Sequence, residues 1–231
     1  MPHNWIILCD FDDTISIGDV TDRLLERFGQ AGWDELETAW KLGEIGSLAC
    51  LAGQVALLEA SPAELDAAIA EIAIDPAFPA FVAAAAAAQI SLTVVSDGLD
   101  YAIYAILARY GLDHLPVVAN HLVPATERGW HLKFPHAKPL CRTGSGACKC
   151  AAGERLASLD GPHKILLIGD GSSDFCLADR VDFVFAKHSL TAYCREHGIA
   201  HRVIPDFEHA LAALPSLLKQ PVPSPSTPVS F

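Results

Sequence analysis

Trp5-Ile6-Ile7-Leu8-Cys9-Asp10-Phe11-Asp12-Asp13-Thr14 is an apolar run that stops abruptly at an acidic turn. A short, unbroken apolar run bounded by a turn reads as a strand buried on both faces, the kind found in parallel sheets covered by helices. While the backbone stays extended past Cys9, side chains alternate in direction, so Asp10 and Asp12 point one way and Phe11 the other. Two carboxylates side by side at a strand end repel each other unless a cation or a shared proton relieves them.

Two further apolar runs, Ile90 to Val95 and Lys164 to Ile168, repeat the pattern. The first runs into Ser96-Asp97-Gly98 and the second into Gly169-Asp170-Gly171-Ser172-Ser173-Asp174. Phe183 to Ala186 reads as another strand, and helix-like segments lie between the strands at Tyr101 to Tyr110, Ala151 to Leu159 and Ser189 to His197. This alternation predicts an α/β fold, a doubly wound, Rossmann-like parallel sheet with helices on both faces. Ligands in such sheets sit beyond the carboxyl ends of the strands, where all three aspartate turns fall.

From Gly18 to Gln89 the strand signal vanishes and helical patterns take over, which predicts an inserted helical domain. One of its helices starts at Ser61-Pro62-Ala63-Glu64, a capping box with proline at the first helical position, followed by Leu65, Ile69 and Ile72 at helical spacing. Ala83 to Ala88 has high helix propensity and no long side chains for chemistry. Val117 to Pro135 is β-like, with a turn at Glu127-Arg128-Gly129. The end, from Gln220, is rich in proline and serine and reads as an extended tail. The expected organisation is a core of residues 1–17 and 90–219, a helical cap of 18–89 and a tail of 220–231.

The chain has 231 residues, 51% of them hydrophobic, enough to bury a full core. Its 16 Lys plus Arg against 28 Asp plus Glu leave a net charge of -12, which disfavours nucleic acid and anionic membranes as partners. No apolar run reaches membrane-spanning length, and Met1-Pro2-His3-Asn4 lacks the charged start of a signal peptide, so a cytoplasmic location is expected. An odd count of seven cysteines favours reduced thiols over a disulfide framework. Cys141, Cys148 and Cys150, with His136, are the residue types of a zinc site, but their spacing matches no standard zinc pattern.

A small anionic substrate must meet a local positive site in so acidic a chain, and Lys149, in Cys148-Lys149-Cys150 at the head of a helix, is the candidate. The Ser96 hydroxyl and the backbone N–H groups of the Asp97-Gly98 turn are suited to phosphate oxygens. Asp170 offers the hard oxygen that Mg²⁺ prefers, with Asp174 placed to orient it. The set Asp10/Asp12/Thr14, Ser96, Lys149 and Asp170/Asp174 resembles the four motifs of the haloacid dehalogenase superfamily in its phosphatase branch, over roughly Trp5 to Ile199. Within that superfamily the insert after the first motif looks like the helical cap of phosphoserine phosphatases. Asn120-His121, the cysteine-rich approach to Lys149, Phe185-Ala186-Lys187 and Cys194-Arg195-Glu196-His197-Gly198 resemble the methionine-salvage phosphatases that act on 2-hydroxy-3-keto-5-methylthiopentenyl-1-phosphate. The sequence departs from that subfamily at Asp13, where glycine is common, and in a thinner cysteine cluster.

The resemblance implies a Mg²⁺-dependent phosphomonoesterase that hydrolyses a small phosphorylated metabolite through an aspartyl-phosphate. Asp10 would be the nucleophile and Asp12 the acid/base, with Mg²⁺ held by Asp10, Asp170 and the backbone carbonyl of Asp12, and Asp174 behind them. Lys149 would add positive charge, and Thr14, Ser96, Asp97 and Gly98 would cradle phosphate. Asp19, nine residues after the nucleophile, falls at an acidic substrate-reading position of phosphoserine phosphatases, although a helix cap explains it equally well. Three rivals use the same fold. A dehalogenase has no need of Asp12, a phosphotransferase would pass the phosphoryl group to an alcohol, and a phosphate-binding protein without turnover would be expected to have lost a motif.

Overall fold

The opening apolar run forms β1 (Trp5–Cys9), buried along its whole length at the middle of a seven-stranded sheet. The computed structural model describes residues 5–158 and 164–218, so the tail expected from Gln220 lies outside them. On one side β1 pairs with β2 (Ser91–Leu99), followed outward by β3 (Val117–Pro124) and β4 (Trp130–Lys133). On the other it pairs with β5 (Lys164–Gly169), followed by β6 (Phe183–Ala186) and β7 (His201–Val203). All pairings are parallel except β3 with β4, the hairpin that turns at the expected Glu127-Arg128-Gly129. The chain winds from β1 to one edge and then returns to build the other. The direction reverses between β1 and β5, and such a switch point opens a crevice at the carboxyl ends of the strands.

Between β1 and β2 lie α1 (Val20–Phe28), α2 (Trp33–Lys41), α3 (Ser47–Ala56), α4 (Pro62–Ala70) and α5 (Phe78–Ala87). The capping box at the start of α4 is formed as its sequence predicts: Glu64 N–H donates to Ser61 Oγ, and Ser61 N–H donates to Glu64 Oε2 at 2.8 Å. The chain leaves the sheet and returns to it side by side. Ile17 N–H donates to the Ala73 carbonyl at 2.9 Å, Asp75 N–H to the Ile15 carbonyl at 2.9 Å, and Ser16 bridges to Ile74. The helix α5 comes after this return and packs on the sheet, apart from the other four.

The remaining helices are α6 (Asp100–Ala108), α7 (Lys149–Ala157), α8 (Phe175–Ala178), α9 (His188–Glu196) and α10 (Phe207–Leu218). No helix among the described residues is long and apolar enough to cross a membrane. Against α5, Phe207 of α10 meets Phe78 and Phe81 edge-on, with ring centroids 4.8 and 5.3 Å apart. Its backbone N–H donates to Asp75 Oδ2 at 2.9 Å, so this corner carries both an aromatic cluster and a satisfied buried carboxylate.

One expectation for the second strand is corrected. The strand was expected to stop at Val95 and give way to a glycine turn, whereas β2 continues to Leu99 and its register against β3 shifts between Val95 and Leu99. Such an irregularity re-aims side chains without ending a strand.

Because Phe207 is fully buried among aromatic partners, truncating it leaves a void that its neighbours fill only in part. Phe207→Ala is expected to lower unfolding free energy by about 3–5 kcal/mol, measured by urea denaturation.

Candidate active site

The acidic turn after β1 places Asp10 and Asp12 on one side, both lining a single cavity, while Phe11 is buried in the core beneath. Asp10 is almost fully buried. Its Oδ1 accepts from Phe11 N–H at 2.8 Å and its Oδ2 meets Lys149 Nζ at 2.7 Å. Lys149 opens α7, which points it inward; only 2% of the residue is exposed. The same ammonium reaches Asp174 Oδ1 at 2.7 Å and Ser173 Oγ at 2.9 Å, so its three protons all have partners. Burial works against the charge on Lys149, but Asp10 and Asp174 outweigh it and hold its pKa above the ordinary value.

Asp12 faces the other way across the cavity floor. Its Oδ1 accepts from Val20 N–H at the start of α1 at 2.9 Å, and its Oδ2 accepts from Ser96 Oγ at 3.2 Å. Burial raises its pKa, with those two hydrogen bonds opposing. A carboxyl raised in this way keeps its proton closer to neutral pH, as a general acid requires. Ser96 is fully buried and accepts in turn from Gly98 N–H at 2.9 Å, so the irregular stretch of β2 serves to support Asp12.

Asp170, at the end of β5, completes the acidic corner. Carboxylate oxygens of Asp10, Asp170 and Asp174 lie within 4.8 Å of one another, and among the described residues no other group of His, Cys, Asp or Glu converges in this way. Three carboxylates face the single ammonium of Lys149, which contacts two of them and not Asp170. Burial, and then Asp174, push Asp170 up to about 7. An excess of hard, negatively charged oxygen with one carboxylate lacking a counter-charge fits a divalent cation such as Mg²⁺. Asp174 is the most committed of the three. Its Oδ1 holds Lys149, and its Oδ2 accepts from Asp170 and Gly171 N–H at 3.1 and 3.4 Å. Thr14 Oγ1 reaches Asp170 Oδ1 at 3.4 Å, which puts this hydroxyl at the cation corner.

One expectation changes. Asp97 was expected to help hold phosphate, but both its carboxylate oxygens are taken by the protein. Oδ1 accepts from Asn120 Nδ2 at 3.1 Å and Ala147 N–H at 2.9 Å, and Oδ2 accepts from Ser47 Oγ of α3. It fastens the inserted helices to the sheet. Cys141, Cys148 and Cys150 do not converge with His136; Cys150 Sγ lies 3.0 Å from Cys176 Sγ instead, and all seven cysteines are free.

Asp19 caps α1, its Oδ1 accepting from Asp22 N–H at 2.9 Å, and the residue also lines the cavity. Asp13 has φ +52°, a left-handed conformation that glycine adopts without strain and Asp tolerates better than most residues. Sequence reasoning missed Ser173 beside Lys149, and Lys187, whose Nζ donates to the Thr14 carbonyl at 3.1 Å. It also missed Glu37, Trp40 and Gln54 of the cavity wall. Ser173 was legible as part of the turn after β5, whereas the other four carry no local signal.

Residues 7–179 match the haloacid dehalogenase-like hydrolase family, and the chain belongs to it. It is an enzyme of that family's phosphatase type. A 2-hydroxy-3-keto-5-methylthiopentenyl-1-phosphate phosphatase of Geobacillus kaustophilus is 27% identical over 220 residues, covering 93% of this chain and 97% of the relative. A phosphatase of the same name from Bacillus pumilus is 28% identical over 200 residues, 85% of each chain. Among solved structures, a substrate-bound phosphoserine phosphatase aligns at TM-score 0.70 and 18% identity over 90% of this chain and 96% of that one. A haloacid dehalogenase-family hydrolase from Salmonella enterica serovar Typhi aligns at TM-score 0.72 and 19% identity, over 91% of this chain and 71% of that one.

A Cβ at position 98 would stand 2.5 Å from Asp12 Oδ2 and 3.1 Å from Ser96 Oγ. Gly98→Ala must therefore displace the Asp12 carboxylate. Turnover is expected to fall by about 10²-fold, the effect of misplacing a reacting group by roughly 1 Å, while far-UV circular dichroism stays unchanged. Wild-type turnover in this variant would show that Asp12 need not stand where Ser96 holds it.

Proposed function

We propose that the chain is a Mg²⁺-dependent phosphomonoesterase that hydrolyses a small phosphorylated metabolite through an aspartyl-phosphate on Asp10. The observation that carries this reading is the pair of carboxyls, buried Asp10 and half-buried Asp12, opening on one cavity with different partners. Asp10 is set against the Lys149 ammonium, and Asp12 is held by neutral donors. Different surroundings give the two carboxyls different tasks.

In the first step an oxygen of Asp10 attacks phosphorus and the bond to the leaving oxygen breaks, while Asp12 gives that oxygen its proton. In the second, Asp12 takes a proton from water, whose oxygen attacks phosphorus and releases inorganic phosphate and Asp10. Lys149 fixes the orientation of Asp10 and puts positive charge beside the transferring group. Asp10, Asp170 and the backbone carbonyl of Asp12 would hold Mg²⁺, with Asp174 behind them. When bound, the ion offsets repulsion between the carboxylate and the phosphate dianion.

The helices α1 to α4 serve as the cap that excludes water and selects the ester, with α1, α2 and α3 lining the cavity. The division falls at the paired segments 15–17 and 73–75, which assigns α5 to the core. A cytoplasmic location belongs to the same reading and is supported by the seven free thiols.

Phosphate release should be measured on a panel that includes p-nitrophenyl phosphate, phosphoserine and 2-hydroxy-3-keto-5-methylthiopentenyl-1-phosphate. Activity is expected to vanish in EDTA and return with Mg²⁺. Asp10→Asn is expected to abolish release, and Asp12→Asn to slow it by about 10²-fold or more. Near-wild-type release by Asp10→Asn, or full activity in metal-free protein, would overturn the reading.

A further inference from the structure

Above its catalytic floor the cavity, about 140 Å³ in volume, is walled by α1, α2 and α3. The wall presents Asp19, Asp22, Glu37, Trp40 and Gln54, and among the described residues no Lys, Arg or His lines the cavity. On α2, Lys41 pairs with Glu37 Oε1 at 3.2 Å and keeps its side chain 66% exposed, and the Arg23 guanidinium of α1 lies against Gly18. Gln54 is 3% exposed. Its Nε2 donates to Glu37 Oε2 at 3.1 Å and to the Trp33 carbonyl at 3.4 Å, and among the described residues no donor reaches its Oε1. The one hydroxyl contributed by α3, Ser47 Oγ, is spent on Asp97. Beside the Thr21 hydroxyl, Cys50 and Leu51, what the wall offers a ligand is chiefly acceptor oxygen and the aromatic side chain of Trp40.

We propose that the leaving group of the substrate carries a cationic nitrogen, making this enzyme selective for amino-alcohol monophosphates. The proposal rests on the phosphatase reading above and extends it to substrate class. An ammonium donates hydrogen bonds and accepts none, which matches Asp22, Glu37 and Gln54 Oε1, and Trp40 supplies a ring face that attracts cations. A neutral alcohol leaves these carboxylates without counter-charge. A substrate with its own carboxylate, such as phosphoserine, brings a like charge against Asp19, Asp22 and Glu37 with no basic side chain in the cavity to receive it. Glu37 has the exposed Lys41 as a partner, whereas Asp19 and Asp22 make no ion pair among the described residues. Burial holds Asp19 well above the usual range, with Asp12 and Asp22 adding to it, and burial raises Asp22, with Glu37 adding.

The test compares esters of equal size. For the Mg²⁺-loaded enzyme, kcat/KM is measured for O-phosphoethanolamine, 2-hydroxyethyl phosphate, phosphoserine and p-nitrophenyl phosphate. A preference of at least about tenfold for the ammonium ester over its hydroxyl counterpart is expected, with phosphoserine below phosphoethanolamine. Glu37→Gln and Asp22→Asn, which keep the side-chain shape, should each shrink the ammonium-to-hydroxyl ratio. A ratio below tenfold, a better phosphoserine, or a ratio unmoved by both variants overturns the proposal. Binding is read separately by calorimetry with 2-aminoethylphosphonate against ethylphosphonate, whose carbon–phosphorus bonds resist hydrolysis. Hydrolysis of p-nitrophenyl phosphate without ammonium preference defeats this inference alone. Tight, ammonium-selective phosphonate binding with no phosphate release from any ester would defeat the phosphatase reading and leave the selectivity of the wall established.

Discussion

The Lys149 ammonium, buried between Asp10 and Asp174, is the contact on which the site depends. Its three protons are matched by Asp10, Asp174 and Ser173. Removing one partner from a buried ion pair typically costs about 3–5 kcal/mol, because the remaining charge is left without water or counter-charge. The geometry therefore tolerates little drift. The three charged groups come from the ends of β1 and β5 and the start of α7, and they meet only because β1 and β5 are adjacent and parallel. The switch point of the sheet thus locates the chemistry and is itself held shut by it.

Asp97 does for the roof what Lys149 does for the floor. It lies on β2 between Ser96 and Gly98, the residues that support Asp12, yet its carboxylate turns to Ser47 of α3, to Asn120 of β3 and to the backbone of Ala147 just before Lys149. A single half-buried side chain thereby joins the inserted helices, an outer strand and the approach to Lys149. The cavity wall and the catalytic floor share this anchor, so the residues that would select a leaving group are held in register with those that would transfer phosphate.

The two walls of the cavity have opposite chemistry. The floor concentrates negative charge that Lys149 offsets in part, whereas the roof carries carboxylates of which Glu37 pairs with the exposed Lys41. Family membership accounts for the floor. The relatives, at 26–28% identity, leave ample room for the roof to differ, and the selectivity proposed above rests on residues of the α1 to α3 wall.

Local pattern was enough to read much of this protein. Five apolar residues ending at Asp10 specify a buried strand, Ser61 and Glu64 specify a helix start, and three aspartate turns at strand ends specify the crevice, because each signal is carried by neighbours in the chain. Tertiary structure decided the rest. The segment from Phe78 to Ala87 is helical by propensity, but only its packing on Phe207 separates it from the other inserted helices. Ser96-Asp97-Gly98 reads as an ordinary turn, and only pairing with β3 and the approach of Ser47 make it a bulged strand with Asp97 as a clamp. Glu37, Trp40 and Gln54 look like any helical surface residues until α2 and α3 fold over Asp10 and Asp12. A carboxylate's role depends on which charges and donors come within a few ångströms of it, and for residues far apart in the chain that proximity exists only once the fold is complete.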